Sequence, residues 1–195
     1  ADYTFKAQYI ATTGSSSDAS FGTGSATVLF ASATSAIDYS LTVRVAGTGG
    51  SAGVGDVIDM SADDFSYCFD VNVRAPFQLS KLLFPGMKKN KWGRVINIGS
   101  SSSYNGFKGT AAYCASKHAL LGLSRSLYSE WKEFGIRVLV VSPGSLKTEM
   151  GRKVEGQDFE TFIETEELAS FILQLMTHDD DMIVEEVRVN RVFVQ

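Results

Sequence analysis

The sequence predicts an α/β protein in which a doubly wound parallel sheet forms a single domain. Three observations carry that expectation. From residue 61 onward, amphipathic helix patterns alternate with short β-branched runs, the order expected of a parallel sheet with helices on both faces. The runs Arg94-Val95-Ile96-Asn97-Ile98 and 136–141 are dominated by β-branched residues, as buried strands are. The length, 195 residues and 21.1 kDa, suits one hydrophobic core.

Each element has its own warrant. Up to Gly53 the chain is dominated by Ala, Ser, Thr and Gly, with short apolar stretches at 9–12, 27–30 and 41–45 that would be strands or buried helix turns. So little apolar area would make a poor core by itself, so residues 1–53 are read as an atypical part of the domain that continues through 54–195. Ser61-Ala62-Asp63-Asp64 reads as a capping box ahead of Phe65, Phe69 and Val73 at helical spacing. That helix should run through Leu83, bending where Pro76 removes a backbone donor. The strand at 94–98 lies between Gly93 and Gly99, and a polar Ser/Gly loop follows. Ala112, Ala115, Ala119, Leu123, Leu127 and Trp131 mark one stripe of a long helix that Gly135 stops as a C-terminal cap. Residues 136–141 make the next strand. Thr165, Glu166 and Glu167 open a helix carrying Leu168, Ile172 and Met176, and 184–194 closes the chain as a strand.

Composition excludes several functions. A net charge of −4 argues against affinity built on neutralising nucleic-acid phosphates. Two cysteines, Cys68 and Cys114, make neither a disulfide framework nor a paired zinc site, which points to the reducing cytoplasm. No apolar run approaches the roughly 18 residues of a membrane span, and no basic-then-apolar leader opens the chain, so a soluble, unprocessed protein is expected. The run Asp179-Asp180-Asp181 reads as a solvated turn rather than a metal site.

The chemistry concentrates on the long helix. Tyr113 and Lys117 lie four residues apart, one turn along one face, where an ammonium can favour a phenolate and draw the tyrosine toward a working pH. A lone pair at that spacing is more often a surface contact. Its company changes the reading: Ser100 follows the 94–98 strand thirteen positions before Tyr113, and Pro143-Gly144 follows the next strand. Loops at the carboxyl ends of parallel strands are where open α/β sheets place ligands.

In order, the chain shows Asp70-Val71-Asn72-Val73, then Val95-Ile96-Asn97-Ile98-Gly99-Ser100, then Tyr113-Cys114-Ala115-Ser116-Lys117, then Ser142-Pro143-Gly144-Ser145-Leu146-Lys147-Thr148. From Val54 to its end it resembles a short-chain dehydrogenase/reductase, whose fold is Rossmann-like. The resemblance implies an oxidoreductase that uses NAD or NADP to interconvert a carbonyl and a secondary alcohol. Tyr113 would be the proton donor or acceptor, and Ser100 would hydrogen-bond the substrate oxygen. Lys117 would tune Tyr113 and bind the nicotinamide ribose, and Asn72 would hold a water of the proton relay. Pro143, Gly144, Leu146 and Thr148 would line the nicotinamide, under a mobile segment at 145–165. Pairing through the helices at 65–83 and 112–131 would give a homodimer or homotetramer. Read without the resemblance, Asn72 is a helix-interior asparagine with a local bond, His118 a surface or packed histidine, and Cys114 a small packed residue.

The first third departs from the family. In place of Thr-Gly-x-x-x-Gly-x-Gly it offers Thr13-Gly14-Ser15-Ser16-Ser17-Asp18-Ala19-Ser20, where Gly14 alone of the glycines survives and Asp18 would face the phosphates. A later string, Thr48-Gly49-Gly50-Ser51-Ala52-Gly53-Val54-Gly55, lies too near Asn72 to be the phosphate loop. Val45-Ala46-Gly47 instead reads as a degraded Asn-Asn-Ala-Gly segment, leaving Ala46 and Gly47 beside the cofactor. On that placement, on the order of forty residues of the usual N-terminal βαβ units are missing, and with them the residue that would choose between NAD and NADP. The alternative function is a non-catalytic relative that has lost the dinucleotide and serves as an oligomeric structural or binding module.

Overall fold

A computed structural model describes residues 28–31, 54–154, 156–178 and 181–192. The apolar stretches at 9–12 and 41–45, and Gly14, Ala46 and Gly47, lie outside the described residues.

Among these residues four strands form one sheet in the order β1 (Val28–Ala31), β2 (Gly93–Ile98), β3 (Ile136–Pro143), β4 (Glu186–Val189). β2, β3 and β4 are parallel, with Gly93 opposite Ile136 and Val140 opposite Glu186. β1, which overlaps the stretch at 27–30, departs from the all-parallel expectation and runs antiparallel to β2, with Val28 opposite Asn97. An antiparallel strand added to a parallel sheet is a common arrangement.

Strand alternation sorts the core into two layers. Val95 and Val138 point to one face, where Leu79, Met87, Leu127 and Trp131 meet them. Ile96, Leu139 and Val141 point to the other, against Leu168, Ile172 and Met176. The first layer belongs to α2 (Ala75–Asn90) and α3 (Ala111–Trp131), the second to α4 (Thr165–Thr177). Both faces of β2 and β3 are therefore covered, as a doubly wound sheet requires.

The first helix differs from its expectation in a way that matters for the site. Ser61 caps α1 (Ala62–Phe69): its hydroxyl oxygen accepts from the Asp64 N–H at 3.0 Å and its hydroxyl donates to the Asp64 carboxylate at 2.6 Å. The helix then widens into a π turn, Asp70–Arg74, before α2 begins. Pro76 sits in the first turn of α2, where a missing donor costs least, so the expected bend becomes a change of helix type. The helix also outruns Leu83 and reaches Asn90, although Pro85 lies inside it. Met87 continues the buried stripe, and the Phe84 ring stacks on Trp131 at 4.7 Å between centroids. That packing outweighs one lost donor.

On α3 the buried face is broader and more polar than the expected stripe. Ala112, Leu127 and Trp131 are buried, but Ala115 is exposed, and Cys114, Ser116, Lys117, Leu120, Leu121 and Ser124 are buried instead. Polar members of the face find partners on β2, as in the 2.8 Å bond from Asn97 Nδ2 to Ser124 Oγ. α3 runs into a 3-10 turn, Lys132–Phe134, capped by Gly135 at φ 72°. A Cβ there would lie 2.2 Å from the Lys91 carbonyl oxygen, so only glycine fits. The final strand is shorter than 184–194, since its register ends with Val189 opposite Pro143.

Candidate active site

The site is built where β2 and β3 end. The Gly99 N–H donates to the Val141 carbonyl at 2.8 Å, extending the ladder one residue past β2. A Cβ at Gly99 would meet Ser142 Oγ at 2.3 Å and Ser103 Oγ at 2.9 Å, so the absent side chain lets the serine loop fold against β3. Ser100 is extended and caps a 3-10 turn, Ser101–Ser103. Its Oγ accepts from the Ser102 N–H at 3.1 Å, and its own N–H donates to Ser103 Oγ at 3.1 Å. These reciprocal bonds fix Ser100 at the mouth of the loop and bury Ser102 and Ser103 behind it.

Tyr113 and Lys117 face that mouth from the first turns of α3. A side-chain hydrogen bond joins Tyr113 to Ser100. Lys117 is 5% exposed, and its Nζ donates to the Ile98 carbonyl at 2.8 Å while standing 5.6 Å from the centre of the Tyr113 ring. Burial holds the Lys117 ammonium down to about 8. The phenol behaves otherwise than the bare Tyr–Lys spacing implies. Burial pushes Tyr113 above its ordinary value, and the Ser100 hydrogen bond offsets part of that rise. Tyr113 is therefore a protonated phenol at neutral pH. Lys117 uses one of its three N–H donors on Ile98, which leaves two for neighbouring polar atoms or for a ligand diol.

Asn72 lies in the π turn and is buried. Its Nδ2 donates to Ser116 Oγ at 3.0 Å and to Cys68 Sγ at 3.4 Å. Both Nδ2 hydrogens are thus committed to α1 and α3, and the bland reading of a purely local bond is incomplete, since one partner lies on another helix. The backbone adds a second feature. Pro76 has no N–H, so the Asn72 carbonyl lacks the donor that an α-helix would supply four residues on.

The third wall follows β3. Gly144 N–H donates to the Val189 carbonyl at 2.7 Å, placing Pro143 and Gly144 at the ends of β3 and β4. Leu146 pairs with Ile163 in a short parallel bridge, and Thr148 Oγ1 accepts from the Gly151 N–H at 3.0 Å. Polar contacts tie the stretch around Leu146 and Thr148 down. Lys147 pairs with Glu164 at 2.7 Å, and Arg191 donates to Thr161 Oγ1 at 2.8 Å and to Gln157 Oε1 at 2.9 Å.

Ser100, Tyr113 and Lys117 therefore converge, with Asn72 linked to them through Ser116, and the loop after β3 lies at the same end of the sheet. His118 is exposed, with Nδ1 2.9 Å from the Cys114 carbonyl of its own helix, and Cys114 is packed beside Thr110. Sequence reading missed Ser116 and Cys68. The available signal was spacing: Cys68 stands one turn before Asn72, and Ser116 one turn after Tyr113. Among the described residues no His, Cys, Asp or Glu cluster could hold a metal, and no helix is long and apolar enough to cross a membrane.

Comparison with known proteins bears on the family and the fold. The family model described as short chain dehydrogenase matches residues 27–158. The chain is 37% identical over 123 residues to a Xanthobacter autotrophicus protein described as an inactive 2-(S)-hydroxypropyl-CoM dehydrogenase 2, covering 63% of this chain and 54% of the relative. It is 36% identical over 114 residues to a 3-oxoacyl-acyl-carrier-protein reductase of Rickettsia felis, covering 58% and 47%. The chain thus spans about half the length of the curated relatives it matches. Among solved structures, a 4-hydroxyisoleucine dehydrogenase complexed with NADH superimposes with a TM-score of 0.63 at 31% identity, over 72% of this chain and 65% of that one. The acetoin dehydrogenase of Enterobacter cloacae gives 0.63 at 28%, over 72% and 60%.

Proposed function

The chain belongs to the short-chain dehydrogenase family, and on that premise we propose that it is an NAD(P)-dependent oxidoreductase interconverting a carbonyl and a secondary alcohol. The observation that carries this reading is the convergence of Ser100, Tyr113 and Lys117 at the carboxyl end of the sheet. In the reducing direction Tyr113 Oη gives its proton to the substrate oxygen, and its elevated protonation value keeps that proton available at neutral pH. The Ser100 hydroxyl hydrogen-bonds the same oxygen and steadies its developing charge. As Tyr113 loses its proton, the Lys117 ammonium, 5.6 Å from the ring, favours the phenolate. An Asn72 oxygen would hold a relay water, since both Nδ2 hydrogens are given to Ser116 and Cys68.

A nicotinamide dinucleotide held there would supply the hydride chemistry. The donor set fits it: Lys117 keeps two ammonium hydrogens for ribose hydroxyls, and by resemblance Tyr113 would stand beside them while Pro143, Gly144, Leu146 and Thr148 would line the nicotinamide. By resemblance Gly14, Ala46 and Gly47 contribute the remaining grip. The substrate is a small carbonyl or alcohol compound. Buried free thiols at Cys68 and Cys114 support a reducing cytoplasm, and exposed Phe65, Phe77 and Leu82 on α1 and α2 support pairing into a homodimer or homotetramer.

A specific observation favours a second reading. The chain matches a relative described as inactive, and the string from Thr13 to Ser20 lacks the later phosphate-loop glycines. On that reading the protein is an oligomeric binding or structural module. Titration with NADH and NADPH, followed by nucleotide fluorescence or calorimetry, separates the two. Saturable binding supports the oxidoreductase and identifies its nucleotide. Absence of binding at millimolar concentration supports the module.

A further inference from the structure

Counting hydrogens around Asn72 resolves a cluster that the catalytic reading does not use. The Ser116 hydroxyl has one hydrogen, and it is donated to the Tyr113 carbonyl at 2.8 Å. Ser116 Oγ must then act only as an acceptor toward its other neighbours. It receives Asn72 Nδ2–H at 3.0 Å, so its 3.4 Å contact with Cys68 requires the thiol to donate. Cys68 Sγ in turn accepts the other Asn72 Nδ2–H at 3.4 Å. Every hydrogen is assigned, and Asn72, Cys68 and Ser116 form a closed ring between the α1–π junction and α3. Cys68 is 1% exposed and Ser116 0%, so water does not substitute for either partner.

The ring ends on a particular peptide. In an α-helix the Lys117 N–H bonds the Tyr113 carbonyl, four residues back. That same carbonyl receives the Ser116 hydroxyl. The ring therefore clamps the turn that sets Tyr113 and Lys117 relative to each other, and holds it against an element that does not itself carry either side chain.

We propose that Cys68 and Ser116 are positioning residues: through Asn72 they hold the first turns of α3 so that Tyr113 faces Ser100 and Lys117 reaches the Ile98 carbonyl. Its catalytic meaning rests on the oxidoreductase reading, but the clamp is testable without turnover or nucleotide.

The test is the titration of Lys117 in lysine-labelled, ligand-free protein by NMR, with its resonance assigned by its loss in Lys117→Met. Lys117 titrates low because it is buried, so a loosened turn should let it rise by about one pH unit or more toward the ordinary lysine value. Cys68→Ala and Ser116→Ala should both show that rise. Cys68→Ser, which keeps a donor and an acceptor, should restore the original midpoint. Leu127→Ala, which opens a cavity farther along α3, should lower the melting temperature and leave Lys117 unmoved. Should Cys68→Ala fail to fold, Ser116→Ala against Cys68→Ser gives the same comparison. Folded variants with an unmoved Lys117 would overturn the clamp, as would an equal rise in Cys68→Ser or in Leu127→Ala. Because nucleotide titration reads the enzyme assignment separately, failure of one leaves the other standing.

Discussion

Replacing Lys117 by methionine should make the folded chain more stable at neutral pH, although it removes a residue central to the site. Burial holds the ammonium down to about 8, against 10.5 for a solvated lysine. At ~1.4 kcal/mol per pH unit of that gap, folding with a charged Lys117 costs about 3 kcal/mol. The cost is fully present below pH 8, where folded and unfolded chains both carry the proton. Between about 8 and 10.5 the folded chain has released it and the unfolded chain has not, so unfolding takes up a proton and stability rises with pH. Methionine matches the length of lysine without its charge, but leaves the Ile98 carbonyl without its Lys117 donor, a loss of ~1 kcal/mol. The variant should therefore gain about 2 kcal/mol at pH 7 and almost nothing near pH 10. Urea unfolding followed by the fluorescence of Trp92 and Trp131 at both pH values measures the difference, and other titrations cancel between the two proteins. A variant less stable than the parent at pH 7, or a gain equal at both pH values, would refute the reasoning.

Other expectations follow from the same geometry. Tyr113→Phe should lower turnover by ~10²–10⁴-fold while leaving the melting temperature nearly unchanged, and undiminished turnover would remove Tyr113 from the chemistry. Gly99→Ala should cost ~1–3 kcal/mol, because its Cβ would lie 2.3 Å from Ser142 Oγ. Gly122→Ala, on α3 with nothing within 4 Å of its Cβ, should instead stabilise by ~0.5–1 kcal/mol, and denaturant midpoints of the pair give the contrast directly. Light scattering at micromolar concentration should return a dimer or tetramer, and a monomer would count against pairing through the helices at 65–83 and 112–131.

The sequence was most legible where side-chain periodicity and burial coincide. Leu168, Ile172 and Met176 follow the helical repeat, and all three are buried on α4. Gly93 opens β2 and Gly99 follows it, each where a Cβ would run into packed side chains, Met87 at the first and Ser142 and Ser103 at the second. The buried face of α3 was harder to read, since Ser116, Lys117 and Ser124 are buried by hydrogen bonding rather than by apolar character. The π turn at Asn72 was illegible for another reason. Pro76 signals an interruption, but whether a helix bends or widens depends on what it packs against. The candidate site was legible as spacing between Ser100, Tyr113 and Lys117. The depression of Lys117 and the elevation of Tyr113 were not, because both depend on the surrounding burial.

The crossover from β2 through α3 to β3 holds Ser100, Tyr113 and Lys117 within one supersecondary unit. Their mutual placement draws on contacts inside that unit, such as Lys117 Nζ to the Ile98 carbonyl at 2.8 Å, and on the clamp that reaches Ser116 from Asn72, 44 positions away. The local contacts can form as β2 and α3 come together, whereas the clamp waits for α1 to close a longer loop onto α3. A substitution at Cys68 or Asn72 could therefore detune the pair while leaving the unit that carries it folded.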